Sequence, residues 1–163
     1  MMLDHSVGVP ALRAAVKARL HAGLVLYDRA AGGRGAVLEP GIRNGYHAMT
    51  FGFTVGEMVR RAAGKSVGTF FQEAVARPLG LDFWIGLPEE IEPRVATIIR
   101  RIEMPKEPSP FFLAMMNDAT SIPNRFVFNS GNWGTSGMNS RAGHAAEIPS
   151  ANGITNARGL AGM

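Results

Sequence analysis

The clearest pattern in this chain lies between residues 49 and 62. Met49, Phe53, Met58, Val59 and Ala62 recur at helix-like intervals, while Glu57, Arg60 and Arg61 fall on the opposite face. The spacing predicts an amphipathic helix, with Gly64 placed where a closing glycine belongs. Ser66 can accept a bond from the first turn of a second helix, whose stripe is Phe70, Phe71, Ala74 and Val75 and whose end is Pro78-Leu79-Gly80. Joined by Gly-Lys-Ser, the two predict an antiparallel helical pair.

Elsewhere the pattern is weaker. Leu12, Ala15, Val16 and Leu20 suggest a helix over 11–24, followed by a glycine-rich loop over 31–45. Asp82–Leu87 reads as a short extended segment, and Arg94–Ile102 as strand or helix. Pro105, Pro108 and Pro110 predict a loop, Phe111–Met116 a short buried helix, and 117–137 irregular chain. Met138–Ala146 predicts one more short helix. Thr155 or Asn156 would cap a last helix that reaches Met163 without a stop signal, which suggests a cut chain.

Composition narrows the class. The chain has 163 residues, the size of one ordinary domain. Hydrophobic residues make up 46% and charged residues 18%, so disorder of the whole chain is excluded. Glycine (20) and proline (10) are abundant, which predicts a loop-rich fold. With no cysteine there is no disulfide, thiolate metal site or cysteine nucleophile. The net charge is +4, but its densest spots are only Arg60-Arg61 and Arg100-Arg101. Solvated helix faces explain that better than a nucleic-acid partner. No apolar run reaches the roughly 18 residues of a membrane span, and no signal peptide is readable, so a cytoplasmic location is expected.

Two motifs are decoys. Gly64-Lys65-Ser66-Val67-Gly68 matches G-x-S-x-G, but a nucleophile elbow needs a strand before its serine, and here a helix precedes it. His21-Ala22-Gly23 mimics an H-x-G box inside a helical stretch. No serine is followed three positions later by lysine, and K-T-G, P-loop, G-x-G-x-x-G and H-E-x-x-H are all absent. The four histidines are scattered, so neither a metal nor a cofactor is expected.

One constellation stands out: Pro40-Gly41-Ile42-Arg43-Asn44-Gly45-Tyr46-His47. A tyrosine ahead of a helix N-terminus feels the helix's positive end. With a lysine nearby, such a phenol can be acidified enough to take a proton from a serine hydroxyl. By spacing alone, an amphipathic tyrosine packed under a loop is the favoured reading.

These residues resemble the β-lactamase-related serine hydrolases, a family spanning class C β-lactamases, penicillin-binding-protein-like enzymes and bacterial esterases. The resemblance rests on Met2–Pro10, on Glu39–Gly52, on Gly56–Arg61, on Pro78–Pro88 and on Glu147–Gly153, and is weakest over 11–38. It implies the α+β β-lactamase/transpeptidase-like fold, of which this chain is mainly the helical subdomain. It also implies an acyl-enzyme mechanism on small esters or lactams. In that mechanism a serine of S-x-x-K attacks, a lysine and a tyrosine handle the proton, and a late K-T-G or H-x-G strand lines the site. Tyr46 matches the tyrosine and is the expected catalytic base. His47 and Ala48 fill the next two positions, and Ala48, in place of the asparagine of the lactamases, favours the esterase branch.

S-x-x-K would lie upstream of the segment resembling Met2–Pro10, and K-T-G or H-x-G downstream of Gly153–Met163. The resemblance therefore implies that residues 1–163 form a single partial domain, a central fragment without its sheet-forming ends. Such a fragment is expected to be inactive alone, since losing the nucleophile of a cooperative set costs on the order of a millionfold. The alternative is a non-catalytic binding or assembly module that self-associates through an exposed apolar face. Low charge makes poor solubility the accompanying expectation.

Overall fold

The computed structural model describes residues 3–11, 37–99, 107–128 and 135–163. The helix expected over 11–24, the His21-Ala22-Gly23 triplet and the Arg100-Arg101 pair fall outside these residues.

Both helices of the expected pair form, but their apolar stripes are only partly covered: Phe53 is buried, while Met58, Ala62, Phe70 and Ala74 are exposed. Helix α1 is Ala48–Ala63, and it buries Thr50, Gly52, Phe53 and Gly56. Glu57, expected on the polar face, is largely covered and accepts from Arg60 and Arg61, each at 2.7 Å. Those hydrogen bonds hold the Glu57 carboxyl down to about 2. Gly64 closes the helix in the left-handed region (φ 68°), its N–H bonded to the Arg60 carbonyl at 3.0 Å. A side chain there would be strained. Ser66 caps α2 (Val67–Phe71), which runs on as a π-helical turn through Gln72–Ala76 and packs against α1.

The extended segment is shorter than expected. Strand β1 (Phe83–Ile85) pairs antiparallel with β2 (Gly153–Thr155), so that Trp84 stands opposite Ile154. Residue β2 positions carry no alternating pattern of their own, and the pairing is recruited across 70 residues of chain. Thr155 ties the ribbon further by donating to the Asp82 carbonyl at 2.8 Å. Phe71 meets Phe83 edge-on at 5.0 Å, joining α2 to the ribbon.

Other expectations are corrected as well. The helix expected to be buried over Phe111–Met116 forms, but none of its residues is buried. Within Arg94–Ile102, the described residues 95–99 form neither strand nor helix, and 100–102 lie outside the described residues. The preceding 3-10 helix (Glu89–Arg94) ends at Arg94, where Val95 turns to an extended backbone. The Asn139 side chain supplies the missing ladder, accepting from Ile98 N–H at 2.8 Å and donating to its carbonyl at 2.9 Å. Residues 117–137 are not all irregular. After α3 (Pro110–Asn117) comes α4 (Ile122–Phe128), whose Ser121 hydroxyl accepts from Asn124 N–H at 3.2 Å. Ser121 and Pro123 look like loop punctuation, but proline fits a first helical turn, where its missing N–H costs nothing. The helix expected over Met138–Ala146 is instead two, α5 (Thr135–Met138) and α6 (Arg141–Ala145), because Ser140 caps the second by accepting from Gly143 N–H at 3.0 Å.

Asn156 caps the last helix, α7 (Ala157–Ala161), as the sequence suggests. The helix nevertheless stops, with Gly162 N–H bonded to the Arg158 carbonyl at 3.1 Å. Buried apolar side chains are few: Ala11, Phe53, Ala76, Leu87, Ala146 and Ile148. Among the described residues, no helix is long and apolar enough to cross a membrane.

Candidate active site

The chain before α1 cannot stand alone, because its glycines and proline leave most of its backbone groups without helix or sheet partners. Residues 3–11 supply those partners. Gly41 N–H donates to the Ser6 carbonyl at 2.8 Å and Gly45 N–H to the His5 carbonyl at 3.1 Å. His5 adopts a left-handed backbone (φ 60°), and its Nδ1 accepts from His47 N–H at 3.1 Å. Such a conformation costs a non-glycine residue about 1–2 kcal/mol, which these two bonds offset.

His47 is the pin of this arrangement. It is buried at 2% exposure, and Val9 N–H donates to its Nε2 at 2.9 Å. Nδ1 therefore carries the proton and donates to the Gly45 carbonyl. Burial pushes the imidazole below its usual pKa, the Gly45 carbonyl works the other way, and the facing His5 ring lowers it further. One helical turn on, Thr50 donates to the Val9 carbonyl at 2.7 Å.

Tyr46 sits on this platform with 70% of its surface exposed. The packed-under-a-loop reading does not hold. The ring leans on His5 alone at 5.2 Å, and no group among the described residues bonds its hydroxyl. It stands two residues ahead of the first helical residue, Ala48, and the first turn of α1 carries no acidic side chain to neutralise the helix's positive end. Among the described residues the only lysine is Lys65. Lys65 lies past the far end of α1 and pairs with Glu73 at 2.5 Å.

Ser66 is committed elsewhere. A helix precedes it, its oxygen accepts from Thr69 N–H at 3.2 Å, and its hydroxyl donates to Glu147 at 2.6 Å. A hydroxyl so held caps a helix; it is not displayed at a strand's end as an elbow serine must be.

Two further groups carry no chemical signal in the local sequence. Glu147 uses one oxygen for Ser66 and the other for Gly68 N–H at 2.9 Å, fixing the loop after α6 to the start of α2. His144 is 9% exposed and its Nδ1 meets Glu92 at 2.7 Å, while Arg141 pairs with the other Glu92 oxygen and also donates to the Leu87 carbonyl. Burial acts to raise the Glu92 pKa, but the bonds from Arg141 and His144 outweigh it and hold the carboxyl below its usual range. These partners lie 49 and 52 residues apart, so no local spacing could have revealed them.

Comparison with known proteins places the chain. The family model described as Beta-lactamase matches residues 1–163. The chain is 33% identical over 174 residues to the esterase/beta-lactamase LipL of Mycobacterium tuberculosis, covering 99% of this chain and 38% of that protein. A penicillin-binding protein homolog from Caulobacter crescentus aligns with a TM-score of 0.72 at 29% identity, over 99% of this chain and 40% of that one. EstA from Arthrobacter nitroguajacolicus Rue61a aligns with a TM-score of 0.82 at 25% identity, over 98% and 41% respectively. The chain thus spans about two fifths of the length of each.

Proposed function

The chain belongs to the beta-lactamase family of serine hydrolases, and from that premise we propose that Tyr46 is its contribution to an acyl-transfer site for small esters or lactams. The observation that carries this reading is the Tyr46 hydroxyl, exposed and unclaimed beside a helix N-terminus on a backbone fixed through His5 and His47. A phenol in that position can receive the proton of an attacking serine hydroxyl and return it to the leaving group. The serine is to come from a part of the acyl-transfer site other than Ser66, whose hydroxyl already serves Glu147.

On this reading, residues 1–163 alone hydrolyse neither ester nor lactam. The purified chain should give no burst with p-nitrophenyl acetate or nitrocefin. A stoichiometric burst that a serine-directed phosphonate abolishes would overturn the proposal and return attention to Ser66.

A second reading, an assembly module, draws on the α3–α4 hairpin. Phe111, Leu113, Met116 and Phe128 are all 45% exposed or more. Self-association through that face would appear in light scattering as a mass rising with concentration. A monodisperse, cooperatively melting monomer would reject it.

A further inference from the structure

A cavity of about 430 Å³ opens between the β1–β2 ribbon, the 3-10 helix, the extended residues after it and α6. Ligand sites run roughly 300–1,000 Å³, so this one suits a small molecule. Its walls are largely apolar, with Trp84, Ile91, Val95, Ile98, Met138 and Ile154 among them. Tyr46 is not one of its lining residues.

The polar side chains around it are nearly all occupied. Asp82 accepts from Trp84 at 3.1 Å and pairs with Arg94. Asn152 accepts from Ile148 N–H at 2.9 Å and donates to the Gly143 carbonyl at 3.1 Å. Thr155 donates to the Asp82 carbonyl, and Asn156 accepts from Gly159 N–H at 2.8 Å. His144 is the exception. Its Nδ1 is held by Glu92, which is itself fixed by Arg141, while its Nε2 has no partner among the described residues. A nitrogen on a side chain this buried, left unpaired, carries a desolvation cost that a ligand can relieve. When the ring is neutral and gives Nδ1–H to Glu92, its Nε2 is an acceptor.

We infer that this cavity binds a neutral, flat, mainly apolar molecule bearing one hydroxyl, an aromatic alcohol, with the hydroxyl donated to His144 Nε2 and the ring system against Trp84. Glu92 and Arg141 position the imidazole, and the apolar walls supply most of the contact.

The test is calorimetric titration of the full chain with 2-naphthol and with naphthalene. The alcohol should bind one to one and about tenfold more tightly than the hydrocarbon, the value of one buried hydrogen bond. His144→Asn keeps an amide N–H near the Nδ1 position for Glu92 but removes Nε2, so it should erase the tenfold preference. Ala96→Trp, at an exposed position on the cavity wall, should abolish binding of both. In long-range nitrogen–proton NMR spectra, the alcohol should move the His144 Nε2 signal and leave the other histidines in place. Absence of saturable binding, equal affinity for both probes, or a preference that survives in His144→Asn would each overturn the inference. If His144→Asn fails to fold, Ala96→Trp decides: binding that persists there places the ligand elsewhere and overturns it.

Discussion

The Tyr46 platform and the α3–α4 hairpin use their side chains in opposite ways. Around Tyr46, few apolar groups are buried, and distant polar partners hold the backbone instead: His47 with Val9, Thr50 with Val9, His5 with Gly45 and His47. In the hairpin the apolar content is high, but no residue is fully buried. Its bonds are local, from Phe112 N–H to the Ser109 hydroxyl and from the Asn124 side chain to the Met115 carbonyl, and Phe111 meets Phe126 edge-on at 6.1 Å. A region stapled by long-range hydrogen bonds should unfold cooperatively with the body. A region held by neighbours in sequence should tolerate change and contribute little to the body's stability.

The largest effect expected is on the stapled side. Gly68 packs so tightly on the Ile85 carbonyl and the Glu147 carboxylate that a methyl group has no room. Gly68→Ala should cost about 3 kcal/mol in urea unfolding, since backbone cannot yield as a side chain can. Wild-type stability in that variant would show α2 to be as loosely attached as the hairpin. Next comes Glu147→Ala, which leaves Ser66 and Gly68 N–H without their acceptor and should cost about 2 kcal/mol, with Glu147→Gln recovering part of the loss.

A smaller effect follows from pH. The folded-state pKa of His47 lies below 6.5 because the ring is buried. Below that value the unfolded chain takes up a proton that the folded chain refuses, so stability present above pH 6.5 is lost as pH falls through the folded value. The urea midpoint should therefore decline on acidification. His47→Asn should flatten that dependence, while substitutions in the hairpin should leave it alone.

In the hairpin, Met116→Ser with Phe128→Ser should change the unfolding free energy by no more than about 0.5 kcal/mol, because both side chains are already more than half exposed. A larger loss would show that the hairpin is covered in solution. Tyr46→Phe should be the smallest of all, indistinguishable from wild type in thermal melting, since its hydroxyl bonds nothing among the described residues. A clear drop in melting temperature would make Tyr46 a structural group and weaken its proposed catalytic role.

The parts legible in the sequence were those governed by neighbours. The α1 pattern, its Gly64 stop, the Ser66 cap and the Asn156 cap all act within four residues, where side-chain type and spacing decide the outcome. The misjudged helix α4 was also local, but serine and proline serve loops and helix starts alike, and only the fold resolves which. The position of Tyr46 ahead of α1 was readable in the same way. Its exposure was not, because exposure depends on whether residues 3–11 cover the ring or only the backbone beside it.

By itself, then, the sequence determined a loop-rich chain of short capped helices, the family resemblance, and the one tyrosine that matches the family's motif. Only the tertiary structure decided that His47 is a buried pin, that Glu147 holds Ser66, that β1 pairs with β2, and that His144 meets Glu92 beside a cavity. The physical reason is range. Helix periodicity and capping are set by contacts a few residues apart, whereas these pairings join groups 38 to 81 residues apart, and no local spacing encodes which of many polar side chains will meet when the chain closes on itself.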